Sequence, residues 1–294
     1  MDRKAFIGGS DAPVILGVSP WKSPYQLWLE KTGQEEPEDI SGKDHVHFGL
    51  VLEDIVAKEW ATRHNLKVRR MNKRAVHPQY PFIVAQIDRR IVGGGILECK
   101  TTGLFNSDDW AEKPPTHYWV QVQHQLMTTG IDDAAIAVLI GGQRYADFEI
   151  PADRKFQKDL LELELDFWDK VKKCIPPDPV SLEEARSIWA KYTPAEVYGT
   201  EQDLKNLKEL IVVQAQIKEL EKKEEELQLA LTNSIKDLGD ILILNGAPVI
   251  SWKAQTKSSI DTKALKEKFP EIAAQFERIS ETRILRILKG AYNL

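Results

Sequence analysis

Apolar residues along the chain change period several times, and each change predicts a different element. Across residues 48–63 they recur at helical spacing, with Val56 and Trp60 in line with Glu53, so a helix is predicted that carries one carboxylate on its apolar stripe, where an arginine or water is one partner open to it. Between residues 82 and 101 (FIVAQIDRRIVGGGILECKT) the period shortens. Phe82, Ile83, Val84 and Ile87 precede Gly93, Gly94 and Gly95, and Ile96 and Leu97 follow, which predicts two strands folded together by a glycine-rich turn. A helix is predicted after Pro114-Pro115, with Tyr118, Gln121, Val122 and Gln125 on one side. Residues 134–140 form a continuous apolar run suited to a central buried strand, and 144–150 alternate as its antiparallel neighbour across Gly141-Gly142. Together these predict a four-stranded core. An amphipathic helix over 153–174 flanks it, stopped by Pro176, Pro177 and Pro179. The expected fold class is α/β, a central mixed β-sheet flanked by helices.

The two ends read differently. Residues 7–33 open with Gly8-Gly9-Ser10-Asp11, continue through an apolar segment and a turn at Ser19-Pro20, and close with a helix holding Tyr25, Leu27, Trp28 and Leu29. Ser10 or Asp11 is placed to cap the first helix. Trp21 and Trp28 read as packing residues rather than base-stacking platforms. Residues 33–43 are an acidic, turn-rich connector. From about 200 to 238 the composition shifts to Glu, Lys, Gln and Leu, and Leu210, Val213, Ile217, Leu220, Leu227 and Leu231 keep a 3–4 spacing with Glu224 on the seam. This predicts one long helix stopped by Gly239: a projecting arm, half of a helical hairpin, an oligomer contact, or a helix folded back on its own domain. Two strands, 249–254 and 282–288, are predicted around a helix over 262–276. Lys253, Lys257, Arg283 and Arg286 make this small α+β tail locally cationic, either to hold DNA or to dock on the core. The expected division is a core of 1–195, a helical arm of 196–239 and a tail of 240–294.

Chemistry gathers at the glycine-linked strands. Side chains alternate along the second strand, so Glu98 and Lys100 share a face, and Asp88, expected to end the first strand, lies ten residues before Glu98. Two carboxylates held close repel unless a cation sits between them, and hard oxygen ligands suit Mg²⁺ or Mn²⁺. Such a metal polarises a phosphodiester and acidifies a bound water, with a neighbouring ammonium to balance charge. The bland alternative is an edge hairpin with solvated Asp, Glu and Lys.

Composition narrows the choice. With net charge −5 and a pI near 5.8, the chain of 294 residues does not coat nucleic acid over its whole surface, so any contact with DNA is local. Lys67, Arg69, Arg70, Lys73 and Arg74 crowd into eight residues before the hairpin, and Arg89 and Arg90 follow Asp88. They form a phosphate-binding patch or a solvated face. Two distant cysteines, Cys99 and Cys174, argue against a disulfide framework and against a cysteine-ligated metal. His45, His47, His64 and His77 have no metal-ligand spacing. No apolar run has the length to span a bilayer and the N-terminus lacks a signal-peptide core, so a cytoplasmic location is expected.

Asp88, Glu98 and Lys100 resemble the signature of the PD-(D/E)xK nuclease superfamily, with Ile87 in place of its proline. More narrowly, residues 7–33, 48–53 (FGLVLE) and 118–125 (YWVQVQHQ) are similar to the YqaJ-type phage recombinase nucleases, relatives of lambda exonuclease. The likeness does not clearly extend past about residue 195. It implies that Asp88, Glu98 and the backbone carbonyl of Cys99 hold the metal, that Glu53 is a further ligand or anchors a metal-bound water, and that Lys100 positions the attacking water. It places Tyr118 and Gln121 beside that lysine and Ser10 at a terminal 5′-phosphate. Arg69, Arg70, Lys73, Arg74 and Arg89 are the candidate DNA contacts. The activity implied is a Mg²⁺-dependent 5′-to-3′ exonuclease acting on linear double-stranded DNA and leaving 3′ single strands for annealing. Its implied partners are a single-strand annealing protein and two further copies in a ring-shaped trimer, and its implied setting is a bacterial host with a phage or prophage gene. The rivals are a structure-selective or single-strand endonuclease on the same core, and a non-catalytic DNA-binding or assembly module.

Overall fold

The computed structural model describes residues 3–192, 194–278 and 283–293. The chain falls into two units, Met1–Ile188 and Trp189–Leu294. The first opens with helices α1 (Ala12–Ile15), α2 (Pro24–Thr32) and α3 (Asp44–His64), followed by strands β1 (Val68–Arg70), β2 (Ala75–Val76), β3 (Val84–Ala85), β4 (Arg89–Ile91) and β5 (Ile96–Thr102). Helix α4 (Thr116–Thr129), strands β6 (Asp133–Ile140) and β7 (Arg144–Pro151), and helices α5 (Arg154–Lys173) and α6 (Leu182–Ile188) complete it.

The main sheet has five strands in the order β1-β4-β5-β6-β7. Strands β5 and β6 are parallel and the other pairs antiparallel, so the sheet is mixed. Parallel neighbours need a crossover, and α4 supplies it. One face packs on α3, where Val56, Ala57 and Trp60 meet Leu97, Cys99, Ala135 and Ala137. The other packs on α4, where Val122 and Leu126 meet Ile96, Ile136 and Val138. Alternation along β5 and β6 serves both layers at once.

Two expectations about this sheet are corrected. It has five strands, because Val68–Arg70 of the basic run pairs with Arg89–Ile91 as an edge strand. Residues 82–87 do not form the first arm of the hairpin. Val84–Ala85 pairs instead with Ala75–Val76 in a separate ribbon, and Ile83 bridges to Ile7. The arm facing β5 is β4, in the register Arg89↔Leu97 and Arg90↔Ile96. The turn is tight because Gly93, Gly94 and Gly95 take φ of 107°, 141° and 83°. A Cβ at Gly95 would also stand 3.1 Å from the Asp133 carbonyl oxygen. Asp88 therefore precedes its strand rather than ending one.

In the second unit a capping box at Thr200 and Asp203 starts helix α7 (Glu201–Ile235). It ends at Lys236, with φ of 48°, before Gly239 is reached. Strands β8 (Ile241–Leu244) and β9 (Ala247–Ser251) form a hairpin, so the expected strand at 249–254 begins earlier and pairs with its immediate neighbour. Of the other expected strand, Thr282 lies outside the described residues and 283–288 form none. The helix expected over 262–276 is two, α8 (Thr262–Lys268) and α9 (Pro270–Gln275), because Pro270 keeps Phe269 from helical geometry. No helix among the described residues is long and apolar enough to cross a membrane.

Candidate active site

Strand β5 carries Glu98 and Lys100 on the face that looks toward α4. Lys100 Nζ lies 2.6 Å from Glu98 Oε1. Gln121 of α4 spans the pair: its Nε2 donates to Glu98 Oε1 at 2.6 Å and its Oε1 accepts from Lys100 Nζ at 3.2 Å. One turn on, Gln125 Nε2 donates to Glu98 Oε2 at 2.7 Å and to the Gln86 carbonyl at 3.0 Å. The Tyr118 ring lies 4.6 Å from Lys100 Nζ, a cation–π contact. Spacing at i, i+3 and i+7 on one helix thus sets three side chains over two on one strand.

Asp88 reaches the same place from the other direction. Its Oδ2 accepts the backbone N–H of Cys99 at 2.9 Å, and among the described residues its other oxygen has no donor. Burial and the adjacent Glu98 carboxylate push its pKa up to about 8. Burial alone would lower Lys100, but Glu98 and Asp88 outweigh it and hold the ammonium above its ordinary value. The cluster therefore has an excess of carboxylate that a cation would relieve. Among the described residues no three His, Cys, Asp or Glu side chains gather as a metal cage. The donors at hand are the Asp88 and Glu98 carboxylates and the carbonyl of Cys99, next to Glu98 on β5, a hard-oxygen set that suits Mg²⁺, which keeps several waters and takes one or two carboxylates.

Glu53 pairs closely with Arg89 and lies 3.7 Å from Arg70. Arg89 also donates to Asp54 Oδ1 and to the Asp88 carbonyl, each at 2.6 Å, and is 3% exposed. It ties α3 to the segment that enters β4. Arg69, Arg70, Lys73 and Arg74 are exposed.

Neither expected cap forms at α1. Its N-cap is Asp11, whose side chain makes no capping bond and instead accepts from Gly8 N–H at 2.9 Å and from Lys31 Nζ at 2.7 Å. The Gly8-Gly9-Ser10 turn is thereby fixed against α4. A cavity of about 280 Å³ opens there, lined by Arg3, Ser10, Arg74, Gln86 and Gln121 among others. Ser10 and Arg74, 64 residues apart in sequence, share its wall with the glutamine that bridges Lys100. Trp28 is buried as expected, but Trp21 is not.

Gln125 was legible only as one more polar residue on the α4 stripe. Its place in the site depends on Glu98 having a second oxygen to satisfy, which no spacing shows.

The fold is a mixed α/β sheet with a helical crossover and flanking helices. The structure matches an alkaline exonuclease (LHK-Exo) from Laribacter hongkongensis with a TM-score of 0.52 at 16% identity, over 59% of this chain and 91% of that one. The same enzyme in complex with dAMP matches with a TM-score of 0.50 at 16% identity and the same coverage. A family model for the YqaJ-like viral recombinase domain matches residues 1–132. The uncharacterized protein YqaJ of Bacillus subtilis (strain 168) is 37% identical over 294 residues, covering 96% of this chain and 91% of that protein. The chain belongs to the YqaJ-like viral recombinase family.

Proposed function

We propose that the protein is a Mg²⁺-dependent deoxyribonuclease, a 5′-to-3′ exonuclease that digests linear double-stranded DNA and leaves 3′ single strands for recombination by annealing. The observation that carries this reading is the hydrogen-bonded group of Glu98, Lys100 and Gln121 at the sheet centre, with the Asp88 carboxylate held beside it by the Cys99 N–H. Asp88, Glu98 and the Cys99 carbonyl would hold Mg²⁺, with Mn²⁺ as substitute. Bound there, the metal supplies a Lewis acid for the phosphodiester and a water of lowered pKa. Lys100 orients the attacking water and balances charge growing on the phosphate, while Gln121 and Tyr118 hold the ammonium in position. Glu53 acts through Arg89, which grips the Asp88 carbonyl. Ser10 and Arg74 take the terminal phosphate in their shared cavity, and Arg69, Arg70 and Lys73 follow the duplex backbone.

The family resemblance adds a single-strand annealing protein as partner, a ring-shaped trimer as the working assembly, and a bacterial cytoplasm with a phage or prophage gene as the setting. The test uses linear duplex DNA labelled separately at the 5′ and 3′ ends, together with a closed circle, in Mg²⁺ or EDTA. Metal-dependent loss of linear DNA from 5′ ends, abolished by Lys100→Ala, is the expected result. Cutting of the circle would replace the exonuclease reading with an endonuclease, and absence of Lys100-dependent cutting would leave a DNA-binding module.

A further inference from the structure

Trp21 is 69% exposed, whereas Trp28, seven residues on, is 5% exposed. An indole left in water forgoes one of the largest hydrophobic gains a side chain offers. Yet it is not loosely placed. Its ring meets His117 edge-on at 4.7 Å and lies 6.1 Å from the Tyr118 ring at a 49° tilt. Tyr118 is the ring over which Lys100 Nζ sits at 4.6 Å. A file of rings thus runs from the ammonium at the sheet centre out to solvent.

The backbone that carries Trp21 is fixed. Its N–H donates to Ser19 Oγ at 3.3 Å, and two residues later Ser23 opens α2 through a capping box with Gln26. Beside the indole lies an open cavity of about 320 Å³ whose lining includes Gly17, Ser19, Lys22, Ser23 and Gln26. The position is therefore aromatic, solvent-facing and in ring contact with Tyr118.

A terminal nucleotide drawn to Lys100 for hydrolysis leaves its duplex stack, and its base then loses its pairing partner and the one neighbour it stacks on. Aromatic side chains replace that stacking for any of the four bases, because every base has a π-face. We propose that Trp21 is the stacking platform for the unpaired base of the nucleotide whose phosphodiester is cut. The proposal rests on the nuclease reading for the identity of the substrate. Its alternatives are a packing role against His117, whose Nε2 is buried without a partner among the described residues, and a contact with a second copy of the chain.

The test places 2-aminopurine at the terminal nucleotide of duplex DNA, at the 5′ or the 3′ end, and adds the full-length protein in a Lys100→Ala background. The expected result is quenching at one end, lost in Trp21→Ala and largely kept in Trp21→Tyr. In the otherwise unaltered protein, Trp21→Ala raises KM for linear duplex about tenfold, and Trp21→Tyr by less than about threefold. Quenching that survives Trp21→Ala, or a Trp21→Ala defect accompanied by a changed melting temperature or sedimentation coefficient, overturns the platform. If the unaltered protein digests DNA and quenching is independent of Trp21, the platform falls alone. If Trp21-dependent quenching occurs while the unaltered protein digests nothing, the nuclease reading falls and takes with it a platform for a cut nucleotide, leaving Trp21 a base contact of a DNA-binding module.

Discussion

Gln125 donates one amide hydrogen to Glu98 Oε2 and the other to the Gln86 carbonyl, at 2.7 and 3.0 Å, tying the middle of the sheet to the segment that delivers Asp88. Residues supporting metal-site ligands in this way are worth about 10–100-fold in affinity or activity. Gln125→Leu is expected to raise the Mg²⁺ concentration for half-maximal DNA digestion by that factor, measured by metal titration. An unchanged midpoint would remove Gln125 from the site.

The raised pKa of Asp88, about 8 in the metal-free protein, has a sign that can be worked out. An acid whose folded value exceeds its unfolded value keeps its proton where the unfolded chain has lost it. The native state then binds more protons between about pH 4 and pH 8, and stability falls as pH rises through that window. Urea titrations of the metal-free protein are expected to show a loss on the order of 1–3 kcal/mol between pH 5 and 8. Asp88→Asn should flatten this dependence, and so should Mg²⁺, which favours the carboxylate. A slope that Asp88→Asn leaves intact would assign the titration elsewhere.

Arg89 satisfies Glu53, Asp54 and the Asp88 carbonyl together. Arg89→Ala strands the largely buried Glu53 carboxylate and is expected to cost about 3 kcal/mol in denaturant unfolding. Arg89→Lys should recover less than half, since one ammonium does not reproduce the guanidinium fork. Exposed Arg69 is the contrast: Arg69→Ala should leave stability within about 0.5 kcal/mol and reduce the salt dependence of DNA binding.

Gly9 lies against the bridging glutamines. A Cβ there would stand 3.3 Å from Gln121 Cγ and 3.6 Å from Gln125 Cγ, whereas one at Gly8 would meet Phe6 at an ordinary 3.5 Å. Gly9→Ala is therefore expected to lower kcat about tenfold by displacing Gln121 from Lys100, with the melting temperature nearly unchanged. Gly8→Ala serves as the control, and equal losses in both would argue for a disturbed loop rather than a displaced Gln121.

Local patterns decided much of this protein. The alternation that puts Glu98 beside Lys100, the 3–4 spacing that puts Tyr118, Gln121 and Gln125 on one side of α4, and the apolar run of β6 were each legible, because each is a property of a few consecutive residues. The mixed α/β class and the family resemblance followed from them. What lay beyond reach were relationships set by distant partners. Residues 82–87 were apolar enough for the main sheet, but the tight glycine turn gave that place to Arg89–Ile91, and Val68–Arg70 became its edge. Glu53 sat on an apolar stripe in either reading, and only the approach of Arg89 from β4 decided what neutralised it. Trp21 and Trp28 looked alike in sequence, yet Trp28 is buried and Trp21 is exposed beside the His117 and Tyr118 rings. Periodicity is a one-dimensional property that says which residues share a face; what that face meets depends on how elements far apart in the chain pack and satisfy each other's charges.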